Sequence, residues 1–449
     1  MKKIIETIKN IWRIEDLRVR ILITILFVAI YRFGSFIVLP GIDPSRLAKL
    51  QEQTSEGLMS LLNMFSGGAF SNASIFALGI MPYISASIVI QLLAIAVPYF
   101  QKMQREGESG RRKINQYTRW LTIAILIFQA PTYLINLKAQ TAGSGAFMVG
   151  DGFWFMLSST LILAAGSMFI LWLGERITDK GIGNGVSLII MIGIIARMPA
   201  AFGQEFVTAL SGAEGGGLIK FLFEIIALLF VMGLAITLVK ATRKVPVQYA
   251  KRVEGNRAIG GARQYIPVKL FAANVMPIIF AQAIMFIPLT LAQAATKDGG
   301  SWFLNQFLDH TSVLYNLVFV FLIIAFPYFY TAITLNPVQM AEDMKRNNGF
   351  IPGVKPGKPT ADYLDTVMSH ITFPGSLFIA LIAIMPAFAG VLGVKQEFAQ
   401  FFGGTSLLIL VGVVLDTLQQ IESHLLVRHY DGLLNSGHVR QRSNNIAAY

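Results

Sequence analysis

The chain has 449 residues, 54% hydrophobic and 14% charged, with a mean hydropathy of +0.59 and a formal net charge of +12. Soluble domains carry roughly 25% charged residues, so this balance implies an integral membrane protein. The absence of cysteine excludes disulfide scaffolds, cysteine-ligated zinc and cysteine nucleophiles.

Apolar stretches of the roughly 20 residues that a bilayer crossing needs predict ten spans, near 21–39, 74–99, 118–136, 153–174, 184–203, 217–239, 270–293, 312–335, 370–390 and 404–423. Lysine and arginine sort between alternate connections. Of 37, 29 lie in the N-terminal segment, the even-to-odd loops and the C-terminal tail, which predicts that both termini are cytoplasmic.

Residues 1–20 read as an amphipathic helix on the membrane surface, with Ile4, Ile8, Ile11 and Trp12 on one face and Lys2, Lys3, Lys9 and Arg13 available to headgroups. A cleavable signal is not expected, because the first apolar run ends in Pro40-Gly41-Ile42-Asp43 without an A-x-A pattern. Between spans 1 and 2, Leu58 to Phe65 is apolar but too short to cross, and Ser66-Gly67-Gly68 interrupts it. Such a segment either re-enters the membrane inside protein or beside a cavity, or lies on the outer surface.

Spans 2 and 7 carry Ile80-Met81-Pro82-Tyr83-Ile84 and Val275-Met276-Pro277-Ile278-Ile279, 195 residues apart. This suggests two five-span halves of inverted topology, with helices kinked at the prolines. Polar residues on the same spans, Ser85, Ser87 and Gln91 on one and Asn274 and Gln282 on the other, suit either interhelical hydrogen bonds or a seam that parts. Gly181-Ile182-Gly183-Asn184-Gly185 follows a span rather than a strand, so it reads as a tight cytoplasmic turn and not a nucleotide loop.

The loop at about 240–269 holds eight basic residues against Glu254. Val245–Tyr249 alternates like a strand, and Gly255, Gly260 and Gly261 suit a turn, so a projecting hairpin is expected. The loop at about 336–369 predicts a short helix over 337–346 and a Gly/Pro-rich tip at 349–357. These basic surfaces suit RNA phosphates, an acidic protein partner, or simple solvation.

Groups able to do covalent chemistry are scarce. The five histidines fall in loops, at helix ends or in the tail, and no H-E-x-x-H occurs. Arg32, Glu224 and Asp416 are single ionisable residues within spans, expected to form structural pairs or to snorkel. No catalytic residue, metal site or cofactor is expected.

Long stretches of the chain resemble the SecY family, the central subunits of protein-conducting translocons, in its bacterial form. They include Tyr31–Phe36 with Pro40–Asp43, Asn63–Leu93, Arg105–Arg119, Trp172–Ile190, Asn336-Pro337 and Phe402–Ile409. The resemblance implies an all-α hourglass channel of two inverted five-helix halves, 21–203 and 204–425, with a surface helix at 1–20 and a cytoplasmic tail at 426–449. It implies a re-entrant plug at about 58–70, including Leu58, Leu61, Leu62, Met64, Phe65, Gly67 and Gly68. A pore ring is implied at Ile80, Ile84, Ile190, Ile279 and Ile409; a narrow aliphatic girdle dewets, yet yields around a polypeptide.

The same resemblance assigns Ser85, Ser87, Gln91, Asn274 and Gln282 to a lateral gate, through which signal peptides and transmembrane segments of nascent chains reach the membrane lipids. It assigns Arg243, Lys244, Lys251, Arg252, Arg257 and Lys355 to docking of the ribosome, including ribosomal RNA, or of the SecA motor ATPase. Small membrane subunits, SecE and SecG, are implied partners. Where the family's second loop usually carries arginine, this chain has Lys355, which keeps the charge but cannot form a bidentate fork. The implied location is a bacterial plasma membrane, the inner membrane in a Gram-negative cell. A secondary transporter built from inverted repeats is the alternative; it requires buried acids or cation sites near the midplane, and these spans offer few.

Overall fold

A computed structural model of the chain describes residues 12, 14–47, 63–141, 147–148, 152–211, 217–249, 252–254, 257–259, 263–270, 277–282, 284–285, 306, 312–334 and 336–443. Helices dominate, because the spans are apolar all round and a helix satisfies its own backbone where no water is available. The chain runs α1 (Glu15–Gly34), α2 (Met81–Ala96), α3 (Pro98–Arg105), α4 (Glu108–Gln140), α5 (Phe153–Lys180), α6 (Gly185–Ser211) and α7 (Gly217–Lys240). Strands β1 (Thr242–Tyr249), β2 (Arg252–Glu254), β3 (Arg257–Ile259) and β4 (Arg263–Lys269) follow. Then come α8 (Val313–Thr334), α9 (Pro337–Arg346), β5 (Gly349–Phe350), α10 (Lys358–Val391), α11 (Gln396–Ala399) and α12 (Gly404–Ser443). Among the described residues, seven helices are long and apolar enough to cross a membrane, or eight if α2 and α3 make one bent span. Of the expected seventh span only 277–282 and 284–285 are described, and both pieces are helical.

The chain divides into two units, one of Met1–Thr54, Met59–Arg197 and Val413–Tyr449, the other of Ser55–Leu58 and Met198–Gly412. In the first, α1 packs on α5, α2 on α4, and α4 on α5. Its core includes Leu39, Phe70, Ala77, Leu126, Tyr133, Leu134 and Leu163. Three side chains staple the turn at 181–185 within this unit. The N–H of Ile182 donates to Thr24 Oγ1 (3.1 Å), that of Gly183 to Gln420 Oε1 (2.8 Å) and that of Gly185 to Thr178 Oγ1 (2.8 Å).

In the second unit α7, α8 and α9 each pack on α10. The expected hairpin is present, with β1 antiparallel to β4 and Val247 opposite Gln264. Sequence reasoning missed the third strand: β5, from the loop between α9 and α10, pairs with the other edge of β1. Val245, Val247, Val268, Met344, Ile351, Leu364 and Met368 make a small core beneath that sheet. The two basic loops are therefore one folded body. Asn336 caps α9, its Oδ1 accepting from Val338 N–H at 3.1 Å, with Pro337 at the first position.

Several expectations change. Span 2 does not begin as a helix at 74; residues 66–80 are a chain of turns, and α2 starts at Met81. Pro82 lies in the first turn of α2, where its missing N–H has no helical acceptor to lose, so it starts the helix rather than kinking it. The helix instead breaks at Val97, which is extended ahead of Pro98 (φ −112°, ψ 119°), and the axis bends by 102°. Residues 15–20 of the expected surface helix are the first turns of α1, while residues 1–11 lie outside the described residues. His370 and His424 both sit on long helices, and α12 continues to Ser443.

Close approach of backbones in the first unit depends on missing side chains. A Cβ on Gly166 of α5 would lie 2.1 Å from the Ile75 carbonyl oxygen. Gly166→Val is expected to destabilise the fold by about 1–3 kcal/mol, read as a lower melting temperature in detergent. Gly203→Ala on α6, where a Cβ meets nothing within 4 Å, should leave that temperature unchanged or raise it.

Candidate functional site: a buried stretch of irregular backbone

Residues 63–80 lie inside the first unit, almost all of them buried, and only 63–65 are helical. Buried backbone polar groups outside regular structure must find partners, since each one left unsatisfied costs roughly 1–3 kcal/mol. Here the segment supplies many itself. Gly67 N–H donates to the Met64 carbonyl (3.1 Å), Gly68 N–H to that of Asn63 (2.8 Å) and Ser74 N–H to that of Ala69 (3.1 Å). Side chains act as local acceptors: Ser66 Oγ takes Phe70 N–H (3.0 Å), and Asn63 Oδ1 takes Ser71 N–H (3.0 Å). Further along, Ile75 N–H donates to the Ile37 carbonyl and Leu39 N–H to that of Ala73, both at 2.9 Å.

The surrounding spans supply the remaining donors. Tyr31 on α1 donates its hydroxyl to the Ser66 carbonyl (3.1 Å), and Arg32 Nη1 donates to that of Gly67 (2.9 Å). Tyr133 on α4 donates to the Phe70 carbonyl (2.9 Å), with its ring edge-on to Phe70 at 4.8 Å. Glycines make the room. Gly67 and Gly68 have φ of +66° and +90°, backbone conformations that side chains disfavour. A Cβ on Gly34 of α1 would meet the Phe76 ring at 2.0 Å, and one on Gly193 of α6 would meet the Phe65 carbonyl oxygen at 2.9 Å.

This seat holds Met64, Phe65, Gly67 and Gly68 of the expected plug; Leu58, Leu61 and Leu62 lie outside the described residues. Of the two readings left open for this stretch, the outer-surface helix fails for residues 63–70, which are enclosed by protein. Ile80 and Ile84 follow directly. Ile80 caps α2 and its carbonyl accepts from Ile84 N–H (3.1 Å), one turn on. Both are buried, as is Ile190 of α6 in the same unit; Ile279 and Ile409 are buried in the second unit.

On α2, Gln91 donates to Ser87 Oγ (3.1 Å) within its own helix, and Ser85 is half-buried. Gln282 is buried in the second unit, whereas Asn274 lies outside the described residues. Arg243 and Lys244 are exposed on β1, and Lys355 is exposed on the tip between Gly353 (φ +87°) and Gly357 (φ +102°). Arg252 and Arg257 occupy β2 and β3, which pair with each other; Lys251 lies outside the described residues.

The ionisable span residues have local partners: Arg32 has the Gly67 carbonyl, and Glu224 has Lys220 at 3.9 Å, four residues earlier on α7. On the loop that follows α1, outside the spans, hydrogen bonds from the Ser45 hydroxyl (2.6 Å) and amide (3.0 Å) hold the Asp43 carboxyl below the usual carboxylate range. Sequence reasoning expected Arg32 to form a structural pair or to snorkel, quoted Tyr31 and Gly34 only as part of a family-like stretch, and passed over Tyr133, Gly166 and Gly193. The available signal was a tyrosine hydroxyl within an apolar span, which needs a partner when buried.

The chain is similar to known proteins in both sequence and fold. The SecY family profile matches residues 74–418. The protein translocase subunit SecY of Streptomyces coelicolor is 41% identical over 434 residues, spanning 94% of this chain and 98% of that protein. The SecY subunit of Mycobacterium tuberculosis H37Rv is 40% identical over 441 residues, with the same coverage. Among solved structures, a protein-conducting channel matches with a TM-score of 0.56 at 19% identity, over 90% of this chain and 92% of the other. A SecY channel whose plug domain stabilises the closed state and maintains a membrane seal matches at 0.57 and 18%, with the same coverage. Sec61 in the canine ribosome–channel complex matches at 0.52 and 17%, again over 90% and 92%.

Tyr133→Phe keeps the ring and removes one donor, leaving the Phe70 carbonyl without it. A loss of about 1 kcal/mol is expected in unfolding measurements on the detergent-purified protein, with no change in helix content by circular dichroism.

Proposed function

The chain belongs to the SecY family of protein translocase subunits, and we propose that residues 63–70 are the seal of its polypeptide-conducting pore. It is a channel and not an enzyme: it passes unfolded polypeptides across a membrane and forms no covalent intermediate with them. The curated relatives are bacterial, which supports a bacterial plasma membrane as the location; cytoplasmic termini are proposed from the distribution of basic residues.

The observation that carries the sealing role is the seat itself. Irregular backbone at membrane depth survives only within protein or beside an aqueous cavity, and the turns of residues 66–80, buried and hydrogen-bonded, meet that requirement. The reading assigns the constriction to Ile80, Ile84, Ile190, Ile279 and Ile409. Branched aliphatic side chains exclude ions by dewetting and adapt to any passing sequence, because their contacts have no directional requirement. Ser85, Ser87, Gln91, Asn274 and Gln282 are assigned to the lateral exit toward lipid. Hydrogen bonds of about 0.6 kcal/mol between membrane helices are weak enough to part reversibly. The two halves are proposed as 21–203 and 204–425.

Docking is assigned to the basic body formed by β1, β4, β5 and the tip at Lys355. Its partner is a ribosome, as in the ribosome-bound Sec61 and Ssh1 channels, or a SecA-type motor, which would supply the energy that a passive pore lacks. SecE- and SecG-type small subunits complete the proposed assembly.

Because the chain has no cysteine, one reporter thiol is unambiguous. Ile84→Cys is expected to crosslink to a secretory chain arrested in transit; crosslinking confined to sites outside the ring would overturn the assignment. Deleting residues 58–70 should raise resting ion conductance in planar bilayers, and unchanged conductance would remove the seal from this segment. Reversing charge at Arg243 and Lys244 should weaken ribosome or motor binding, with a shallower dependence of affinity on salt.

A further inference from the structure

We propose that Tyr31 and Arg32 of α1, backed by Gly193 of α6, form a latch that sets how readily the plug leaves its seat. The proposal rests on the reading of residues 63–70 as the plug. The hydrogen bonds of residues 63–80 fall into two classes. Asn63 to Ser71, Asn63 to Gly68 and Ser66 to Phe70 join the segment to itself and can travel with it. Those from Tyr31 and Arg32 to Ser66 and Gly67, like that from Tyr133 to Phe70, cross from a neighbouring span and must break when the segment moves away from it.

The grip is made by neighbours on neighbours. Consecutive residues of α1 hold the consecutive carbonyls of Ser66 and Gly67, at 3.1 and 2.9 Å. The bend continues through Gly67 and Gly68, both at positive φ. Beside the same residue α6 presents bare backbone: a Cβ on Gly67 would lie 2.9 Å from Gly193 Cα and 3.0 Å from Arg32 Nη1. The pocket therefore accepts this segment only where both residues are glycine. The Arg32 guanidinium also lies 5.2 Å from the Phe36 ring centroid, which steadies its aim.

Arginine suits a latch because its charge cannot be left bare at membrane depth. With the Gly67 carbonyl in place, the guanidinium has a partner inside the protein. Once the segment leaves, water must take over that role, so release is favoured where the passage has wetted. Tyr31 and Arg32 are in this sense positioning residues for the closed state. They lie outside the aliphatic constriction.

The test uses the full-length channel, purified with its co-purifying small subunits and reconstituted in planar bilayers. Each interhelical hydrogen bond of the measured size shifts an equilibrium by about 3-fold on average and about 18-fold at most. Tyr31→Phe and Arg32→Gln are each expected to raise the resting open probability within that range, with Arg32→Lys between Arg32→Gln and wild type. Labelling of Ala69→Cys by a membrane-impermeant maleimide should accelerate by a similar factor. Export of a substrate with a defective signal peptide should rise in cells.

Wild-type conductance and labelling in both variants, alongside a leak when 58–70 is deleted, would overturn the latch and leave the plug reading intact. No leak from the deletion would overturn the plug reading itself. Raised conductance without faster labelling would assign the leak to general damage and also overturn the latch. Should Arg32→Gln fail to accumulate, Tyr31→Phe carries the same test, since it removes a single oxygen atom.

Discussion

The backbone of residues 66–80 imposes the constraint on which the first unit depends. It is neither helix nor strand, it lies among membrane spans, and it needs partners there. Helical spans satisfy themselves and can be exchanged for other apolar helices without penalty to the backbone. This segment cannot, so the spans around it carry the specific residues: hydroxyl donors at Tyr31 and Tyr133, a guanidinium at Arg32, and glycines at 34, 166 and 193. Those glycines are the complement of the donors. A polar side chain can reach the segment only because neighbouring positions let backbones come within contact distance.

The second unit solves a different problem, that of holding charge out in water. Lys and Arg on a long loop would be solvated and mobile without a core beneath them. Val245, Val247, Val268, Met344 and Ile351 provide that core, and β5 ties the tip of the second loop to the hairpin of the first. Exposed Arg243, Lys244 and Lys355 are thus borne on one folded body rather than on two independent arms. A partner that engages both loops meets a surface ordered in advance, which lowers the entropy lost on docking.

The sequence makes the span positions legible because hydropathy acts over about 20 residues and single substitutions hardly alter it. The hairpin is equally plain, with alternating Val245 and Val247 and a glycine-bearing turn. Ser66-Gly67-Gly68 announces a break, but nothing announces its length. Phe76, Ala77, Leu78 and Ile80 are ordinary span residues by composition, yet they lie in turns. Their conformation is imposed by partners distant in the chain: the Ile37 carbonyl accepts from Ile75, and Gly34 clears space for Phe76. The pairing of β5 with β1 is hidden for the same reason. Two residues at 349–350 have no periodicity to read, and their register is set by Gln248 and Tyr249 a hundred positions earlier. The buried turn at 63–80 was thus half legible: the family resemblance pointed to the stretch as the expected plug, but the residues that hold it came only from geometry.

The scarcity of charge in the spans acquires a structural meaning from these arrangements. Arg32 is engaged by a backbone carbonyl and Glu224 by Lys220 on its own helix, so neither stands ready to carry a proton or a cation through the membrane. A transporter would need such groups to alternate between two sides. On the proposed reading, the first unit has instead a seal whose closed state is held by a few polar contacts against a large apolar background. Apolar packing makes the closed passage dry, while short-range donors decide when it opens. Burial alone offers no discrimination, because any displaced hydrophobic segment regains similar contacts with lipid. Directional hydrogen bonds to two adjacent carbonyls are lost in full when the segment shifts by little more than a bond length. Dependence on a few directional contacts gives the seal a defined threshold, and a passive pore whose energy comes from a bound partner needs one in order to remain shut until that partner supplies a chain.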